Sequence, residues 1–322
     1  MFMSYAFRFV FVTIICSLIS SCGEIESDTP KPQSSEGRPV IALVMKSLAN
    51  EFFVTMSNGA RKHHAENRDQ YDLIVNGIKN EIDLAQQVAL IDQMIALKVE
   101  AIVIAPADSK AIVPALARAI KNEILVINID NRLDDAVLRD YGLDIPFVGP
   151  DNYLGAYMVG SYLAEHLIPG QQVAILEGVP TAYNSQQRTA GFRRSVEDGG
   201  LTVVAQQSAQ WDQTAAVTVT SGLLLQNTNL AAIIAANDNM ALGALAAIRQ
   251  AGKSGQLLIV GFDNISAVRK LVKAGAILAT ADQHADLLAV YGIEYALQGL
   301  SSGVALKDRA TPVDLITSTN FE

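Results

Sequence analysis

The stretch Ala231-Ala232-Ile233-Ile234-Ala235-Ala236-Asn237-Asp238-Asn239 is an apolar run that ends abruptly in two carboxamides and a carboxylate. Met240-Ala241-Leu242-Gly243 follows it and begins an apolar helical pattern. A short apolar run followed by a helix predicts a buried strand of a parallel sheet. Ligands of open α/β sheets bind outside the carboxyl ends of the strands, so the polar residues at this strand end are candidate ligand contacts.

The same alternation of strand and helix recurs along the chain from residue 39 onward. Eight further apolar runs predict strands, over residues 40–45, 71–75, 101–105, 124–129, 172–176, 202–205, 257–260 and 277–280. Amphipathic stretches with helical spacing separate them, which predicts βαβ units and parallel sheets. Nine strands would make an unusually wide single sheet. We therefore expect an α/β fold with two doubly wound parallel-sheet lobes.

Composition fits this fold and argues against several classes of protein. The 322-residue chain is 50% hydrophobic but only 6% aromatic, as expected for helices packed on parallel sheets. Its 24 basic and 33 acidic residues include no basic cluster, so we expect no nucleic-acid partner. The four histidines lack metal-ligand spacing, and phosphate-binding or nucleophile motifs are missing, so we expect no metal, no cofactor and no enzyme.

The N-terminal residues predict export and attachment to a membrane. Arg8 precedes an apolar stretch over residues 9–19 that is too short to span a bilayer, as in an export signal. It ends in Ile19-Ser20-Ser21-Cys22, which resembles a bacterial lipobox except that leucine usually stands first. We expect a signal peptide over 1–21, lipidation at Cys22 and a flexible tether over 22–38. A plain signal peptide or an uncleaved anchor is the alternative.

Polar residues follow almost every predicted strand, and two explanations compete for them. Asp108 and Asp238 precede helices, where helix capping is the preferred interpretation. Asp130, Asn237 and Asp263 each end an apolar strand directly, a regularity that capping alone does not demand. We therefore expect these three side chains to face a ligand.

The side chains at the strand ends also indicate the class of ligand. Carboxylates accept hydrogen bonds from hydroxyl groups, while Lys46 and Arg188 can donate hydrogen bonds. The aromatic rings of Phe52, Phe53 and Trp211 can pack on apolar C–H faces, although a core role fits Trp211 and one of the phenylalanines equally well. A molecule with hydroxyls at its rim and C–H faces between them is a sugar or a polyol.

These residues resemble the periplasmic ribose-binding protein family, the type I sugar-binding proteins of ABC importers, which share a fold with the ligand domains of LacI-type repressors. The resemblance runs from about residue 39 to the C terminus. Its motifs are Ile41-Ala42-Leu43-Val44 leading to Asn50 and Phe52-Phe53, Asp130, Arg188-Thr189-Ala190-Gly191-Phe192, the stretch from Asn237 to Gly243, and Val260-Gly261-Phe262-Asp263.

The resemblance implies a set of ligand contacts. Sugar hydroxyls would bind to Asn50, Asp130, Arg188, Asn237, Asp263 and Gln283. Phe52 or Phe53 and Trp211 would sandwich the sugar ring. Two further candidate contacts depart from the family pattern, since Lys46 stands where a small hydroxyl residue is common and Asn131 where a ribose-type site has an arginine. Arg132 is a possible replacement for that arginine.

The resemblance also implies a domain organisation. Crossovers near residues 150, 284 and 312 would form a three-segment hinge. The N-terminal lobe would comprise residues 39–150 and 284–312, and the C-terminal lobe residues 151–283 and 313–322. The lobes would close around the ligand, the motion known for periplasmic binding proteins.

The resulting functional prediction is a solute-binding lipoprotein of an ABC importer that captures a pentose, hexose or polyol. Its expected partners are that ligand and a permease in the inner membrane, and we expect a monomer in the periplasm or cell envelope. The alternative is a ligand-sensing protein that signals to a chemoreceptor or sensor kinase. A glycosidase using Asp130 and Asp263 as an acid/base pair is a weaker alternative. A repressor is excluded because the export signal stands where a DNA-binding domain would be.

Overall fold

The computed structural model describes residues 37–320, in which strands and helices alternate. The first part comprises β1 (Val40–Ser47), α1 (Glu51–Glu66), β2 (Asp72–Ile78), α2 (Leu84–Leu97), β3 (Ala101–Ile104), α3 (Val113–Lys121), β4 (Leu125–Ile129), α4 (Asp135–Asp140) and β5 (Phe147–Pro150). The second comprises α5 (Asn152–Ala164), β6 (Gln172–Glu177), α6 (Tyr183–Asp198), β7 (Thr202–Ser208), α7 (Gln213–Gln226), β8 (Leu230–Ala235), α8 (Asp238–Gln250), β9 (Leu258–Val260), α9 (Ser266–Lys273) and β10 (Ala279–Asp282). The chain ends with α10 (Ala285–Ser302), β11 (Arg309–Thr311) and β12 (Asp314–Thr317).

The strands form two six-stranded sheets, so the prediction of two doubly wound lobes is confirmed. The first sheet has the order β11-β5-β4-β3-β1-β2 and the second β12-β10-β9-β8-β6-β7. All neighbouring strands are parallel except β12, which runs antiparallel to β10 at the edge. We call the part built on the first sheet the N-terminal lobe and the other part the C-terminal lobe. The chain passes between them after β5, after β10 and after β11.

Strand β1 shows why the runs are apolar without alternation. All eight of its residues are buried. Ile41, Leu43 and Met45 pack into one hydrophobic cluster, and the intervening residues Val40, Ala42 and Val44 pack into a second. Both faces of the sheet are therefore covered, as in parallel sheets generally. The polar residues at the carboxyl end of the strand come to lie at the edge of the sheet.

Two glycines of the family motifs bring pairs of helices together. A Cβ atom on Gly191 of α6 would lie 2.3 Å from the carbonyl oxygen of Tyr153 in α5. A Cβ atom on Gly243 of α8 would lie 2.3 Å from the carbonyl oxygen of Gln213 in α7. These close backbone contacts set the positions of α6 and α8, whose first turns face the other lobe.

The predicted signal peptide, Cys22 and most of the tether lie outside the described residues. Within residues 37–320, none of the helices combines the length and the apolarity needed to cross a membrane.

Candidate functional site

A small, largely polar cavity lies between the lobes, at the carboxyl ends of strands from both sheets. Twelve residues line it. The N-terminal lobe contributes Lys46, Asn50, Phe52, Phe53, Glu81 and Asp130, and the C-terminal lobe contributes Asn184, Arg188, Trp211, Asn237 and Asp263. Gln283, in the crossover between β10 and α10, completes the lining.

Three of the lining residues have the left-handed backbone conformation that non-glycine residues rarely adopt. The φ angles are +61° for Asp130, +65° for Trp211 and +124° for Asp263. Each follows the end of a strand, where the chain turns away from the sheet. Such strained residues cluster at functional sites, where the surrounding structure holds them in place. The turns direct these side chains towards the cavity.

The N-terminal lobe presents a lysine between two carboxylates. The Nζ atom of Lys46 lies 3.0 Å from Oδ2 of Asp130 and 4.0 Å from Oε2 of Glu81. Asn50 donates from Nδ2 to Oε1 of Glu81 at 3.1 Å and accepts from the amide of Phe52 through its Oδ1 atom, as the N-cap of α1. Burial raises the pKa of the Glu81 carboxyl, and the nearby Lys46 ammonium opposes that rise.

The C-terminal lobe presents an arginine whose guanidinium is held on several sides. Arg188 donates from Nε to Asn152 at 2.8 Å and from Nη1 to the carbonyl oxygen of Ala236 at 2.9 Å. The same Nη1 lies 3.4 Å from Oδ1 of Asp263, which also accepts from Nε2 of Gln283 at 2.7 Å. Burial raises the pKa of Asp263 and lowers that of Arg188, and their mutual attraction opposes both shifts.

Aromatic rings from both lobes border these charged groups. The guanidinium carbon of Arg188 lies 3.7 Å from the ring centroid of Phe262 and 5.4 Å from that of Trp211. Lys46 Nζ lies 5.3 Å from the ring of Phe53. The indole of Trp211 packs directly on Gly178, where a Cβ atom would come within 2.1 Å of the ring. The cavity therefore combines fixed charges with flat apolar walls.

Three buried acceptor atoms of the lining have no hydrogen-bond donor within the protein. They are Oδ2 of Asp130, Oδ1 of Asn184 and Oε1 of Gln283. Oδ2 of Asp130 is nevertheless paired by charge, since Nζ of Lys46 lies 3.0 Å away. Buried polar atoms are costly when unpaired, so this lining favours a ligand that carries several donors.

The structure brings together ten of the eleven residues predicted from the sequence as ligand contacts. The exception is Asn131, which is buried outside the cavity lining. Its Oδ1 accepts from the hydroxyl of Ser109 and from the amide of Asn184, both at 3.2 Å, and its Nδ2 donates to the carbonyl oxygen of Pro106 at 3.0 Å. Since these protein groups engage its carboxamide, the structure does not support the predicted ligand contact.

Arg132 does not replace the arginine missing at position 131. It lies outside the cavity lining and pairs with Asp135 at 3.2 Å and Asp308 at 2.6 Å. Its guanidinium carbon lies 5.4 Å from the ring centroid of Phe147. Arg132 thus links Phe147 of β5 to Asp308, which precedes β11, and all of these contacts lie within the N-terminal lobe.

Asp238 has a different role from the one expected, and Asn237 has a second role besides the expected one. Asn237 lines the cavity and also caps α8, because its Oδ1 accepts from the amide of Met240 at 2.9 Å. Asp238 is not the N-cap but the first helical residue, and it is completely buried. It accepts a hydrogen bond from the hydroxyl of Thr280 at 2.8 Å and another from the amide of Ile265 at 2.9 Å. These two bonds connect the start of α8 to β10 and to the segment after β9. Burial raises the pKa of Asp238 to about 7.

Two lining residues, Glu81 and Asn184, were absent from the predicted set. The predicted second strand ended at residue 75, whereas β2 continues to Ile78 and places Glu81 just beyond its carboxyl end. The extension reads Asn76-Gly77-Ile78, and its polar and glycine residues concealed the strand. Asn184 is in the first turn of α6, one turn before Arg188. The spacing of four residues between them was the available signal, because it places both on one helix face.

Comparison with known proteins gives consistent matches over nearly the whole described chain. A family model described as periplasmic binding protein domain matches residues 41–303. The D-ribose/D-allose-binding protein of Pseudomonas aeruginosa is 45% identical over 311 residues, which cover 95% of this chain and 96% of that protein. The structure of an ABC transporter solute-binding protein from Burkholderia multivorans is 52% identical with a TM-score of 0.86, covering 87% of this chain and 100% of that one. A periplasmic solute-binding protein from Actinobacillus succinogenes with bound D-allose is 37% identical with a TM-score of 0.83, covering 88% and 98%.

Proposed function

Since the chain belongs to the periplasmic binding protein family, we propose that it captures D-ribose or D-allose between its lobes. It is a sugar-binding protein of an ABC importer, not an enzyme, and it acts in the periplasm with the importer's permease as its partner. The choice of these two sugars rests on the names of relatives that are 45% and 37% identical to it over the matched residues.

The observation that carries the proposal is the excess of unpaired acceptors in the cavity lining. Asn184 and Gln283 each present a buried oxygen with no donor from the protein, and Oδ2 of Asp130 has only the Lys46 ammonium beside it. Every hydroxyl group of a monosaccharide brings one donor and two acceptor lone pairs. An amino acid concentrates its backbone donors on one ammonium group, whereas a sugar distributes its donors around the ring. A sugar is the small ligand that satisfies all three oxygens at once.

The charged residues give the site its selectivity in this proposal. Asp130 and Asp263 accept hydrogen bonds from sugar hydroxyls, while Lys46 and Arg188 hold them in position and donate to sugar oxygens. A sugar that lacks one of these hydroxyls leaves a buried carboxylate without its donor, which is more costly than the loss of an exposed contact. The indole of Trp211 and the ring of Phe53 pack on the C–H faces of the sugar.

Closure of the lobes is the proposed binding mechanism. The lining comes from both lobes, so only a closed arrangement lets all twelve residues touch one sugar. The ligand then favours the closed conformation through its additional contacts there. We propose residues 39–150 with 284–312 and residues 151–283 with 313–322 as the moving units. The three crossovers between them act as the hinge.

We further propose that the chain is a monomer attached to the membrane through lipid on Cys22, with residues 1–21 removed as a signal peptide and residues 22–38 serving as a tether. Metabolic labelling with a fatty acid tests this directly. We expect label on the wild-type chain and none on a Cys22→Ala variant. Label retained by that variant would contradict the proposed site.

A thermal-shift series with the full chain in mild detergent tests the ligand class. D-Ribose or D-allose at about a hundredfold excess over its Kd should stabilise the fold by roughly 2.7 kcal/mol through mass action. L-Leucine and adenosine serve as controls for other ligand classes. A shift with either control and none with any sugar or polyol would contradict the proposal.

A further inference from the structure

Two helices of the C-terminal lobe begin at the cleft without a capping side chain of their own. The N-cap residues are Ala182 for α6 and Ile265 for α9, and neither forms a side-chain cap. In the described part of the chain, six other helices have a capping Asn or Asp side chain, at Asn50, Asp83, Asp134, Asp151, Asp212 and Asn237. The first amides of a helix need an acceptor from outside the helix.

The N-terminal lobe supplies acceptors for α6. The amide of Tyr183 donates to the hydroxyl of Ser109 at 2.9 Å, and the amide of Asn184 donates to Oδ1 of Asn131 at 3.2 Å. The two acceptors are themselves joined, because the Ser109 hydroxyl donates to that same Oδ1 atom at 3.2 Å. Both side chains are almost completely buried. The helix is therefore capped by the opposite lobe.

The N-terminal lobe also caps α9, through Glu51. The amide of Ser266 donates to Oε1 of Glu51 at 2.7 Å. Glu51 is the first residue of α1 and follows Asn50, which lines the cavity. Glu51 and Asn131 thus each directly follow a cavity-lining residue in the sequence, Asn50 and Asp130. No cavity-lining contact is assigned to Ser109, Asn131 or Glu51.

We propose that Ser109, Asn131 and Glu51 are positioning residues that raise sugar affinity without touching the sugar, by capping α6 and α9 across the closed cleft. When the lobes separate, these amides are hydrated and the caps contribute nothing to either lobe. Each cap therefore favours the closed conformation alone. The apparent Kd increases as the binding-competent fraction falls, so loss of a cap weakens binding although every sugar contact remains. This inference rests on the proposed capture by closure.

Substitutions of the capping side chains test this role. Ser109→Ala removes the hydroxyl, and Glu51→Asp keeps the charge at the start of α1 but shortens the side chain by one methylene. The matched control is Asp134→Ala, which removes a cap within the N-terminal lobe, where Oδ1 accepts from Ala136 and Val137 at 3.0 Å. Calorimetry and stopped-flow kinetics with D-ribose and D-allose measure Kd and koff. Single-molecule energy transfer between the lobes measures the closed fraction without sugar.

We expect each cross-lobe variant to weaken the Kd about fivefold, the usual effect of one cap, through a faster koff. The melting temperature of the unliganded protein should stay constant in Glu51→Asp and fall slightly in Ser109→Ala, whose hydroxyl also donates to Asn131 within its own lobe. It should fall in Asp134→Ala as well, whose Kd should stay constant. An unchanged Kd and an unchanged closed fraction in the cross-lobe variants would overturn the inference. If neither sugar binds the wild type but the closed fraction falls in the variants, the ligand assignment fails and the inference stands.

Discussion

Arg188 and Asp263 form a buried ion pair at the base of the cavity, with Nη1 and Oδ1 3.4 Å apart. Neither side chain is more than 5% exposed, and the guanidinium packs on the ring of Phe262. Burial alone disfavours charge on both partners, and each partner offsets part of that cost for the other. Arg188 therefore opposes, without cancelling, the rise in the pKa that burial gives the Asp263 carboxyl.

Replacing Asp263 by Asn should weaken sugar binding strongly. The variant keeps the shape of the side chain but removes the charge, which leaves Arg188 buried without its partner. We expect a loss of roughly 3 kcal/mol in binding free energy, the scale for a disrupted buried pair. Calorimetry with D-allose and D-ribose measures it. The control is Asp92→Asn in the exposed pair with Arg118, which should leave the Kd unchanged. Equal affinity of the Asp263 variant and the wild type would remove Asp263 from the site.

Replacing Lys46 by Met should destabilise the fold as well as the site. Asp130 and Glu81 would remain buried without the ammonium that lies between them. We expect the free energy of unfolding to fall by about 3 kcal/mol, measured by urea denaturation without sugar. The control is Lys110→Met. Its side chain is 61% exposed beside Asp134, so its loss should cost under about 1 kcal/mol. If both variants lowered the free energy of unfolding by the same small amount, Lys46 would have no role in stabilising the fold.

Gly178→Ala should displace the indole of Trp211. The new methyl group would overlap the ring, so Trp211 must move towards the cavity or the strand must shift. We expect at least a tenfold rise in the Kd for the sugar, since a 1 Å misplacement can have such effects. Trp211 is the only tryptophan of the chain, so its fluorescence reports the change directly.

The matched control for this substitution is Gly222→Ala, within α7. Its Cβ atom would meet nothing within 4 Å, and alanine favours helix by about 1 kcal/mol over glycine. This variant should be slightly more stable and should bind sugar normally. If Gly178→Ala also left fluorescence and affinity unchanged, the packing of Trp211 on Gly178 would have no part in binding.

Asp238 should make the protein less stable as the pH rises from about 4 to about 7. Burial raises its pKa from 3.8 to about 7 in the folded state, so the unfolded chain loses this proton first. The folded state binds more protons between these values, and the free energy of unfolding therefore falls with pH, by an amount on the order of a few kcal/mol. Below pH 4 Asp238 is protonated in both the folded and the unfolded state, and its full contribution to the free energy of unfolding is present.

Urea denaturation of the wild type and Asp238→Asn across this pH range measures the effect. The variant loses one acceptor for Thr280 or Ile265 and should be less stable at low pH, with a smaller decline as the pH rises. Glu81 and Asp263 also have raised pKa values, so the relevant quantity is the difference in slope between the two proteins. Parallel profiles would contradict the shift assigned to Asp238.

Much of the fold could be predicted from the sequence because parallel strands covered on both faces are continuous apolar runs. All nine predicted strands are present in the structure. The three strands without a prediction, β5, β11 and β12, are short and lack a continuous apolar run. Strand β5 also contains Gly149 and Pro150, which indicated a crossover. Strands β5, β11 and β12 form because they pair with neighbouring strands, and the local sequence does not reveal that pairing.

The site was predictable to the extent that its residues follow strand ends. The carboxyl-edge rule and the family motifs led to residues such as Asp130 and Asp263, which line the cavity. The structure does not support the predicted ligand contact of Asn131, because the sequence cannot show that its carboxamide hydrogen-bonds to Ser109 and to α6 of the other lobe. The contact between Asn131 and Asn184, 53 positions apart, arises only when the two lobes meet.

Isothermal titration of the full chain with D-ribose and with D-allose tests the central claim most directly. The account predicts that at least one of them binds with a stoichiometry of one per chain and a Kd in the micromolar range or tighter. It also predicts that Asp263→Asn loses most of this affinity. No binding heat from either sugar at millimolar concentrations, or binding that survives in that variant unchanged, would contradict the account.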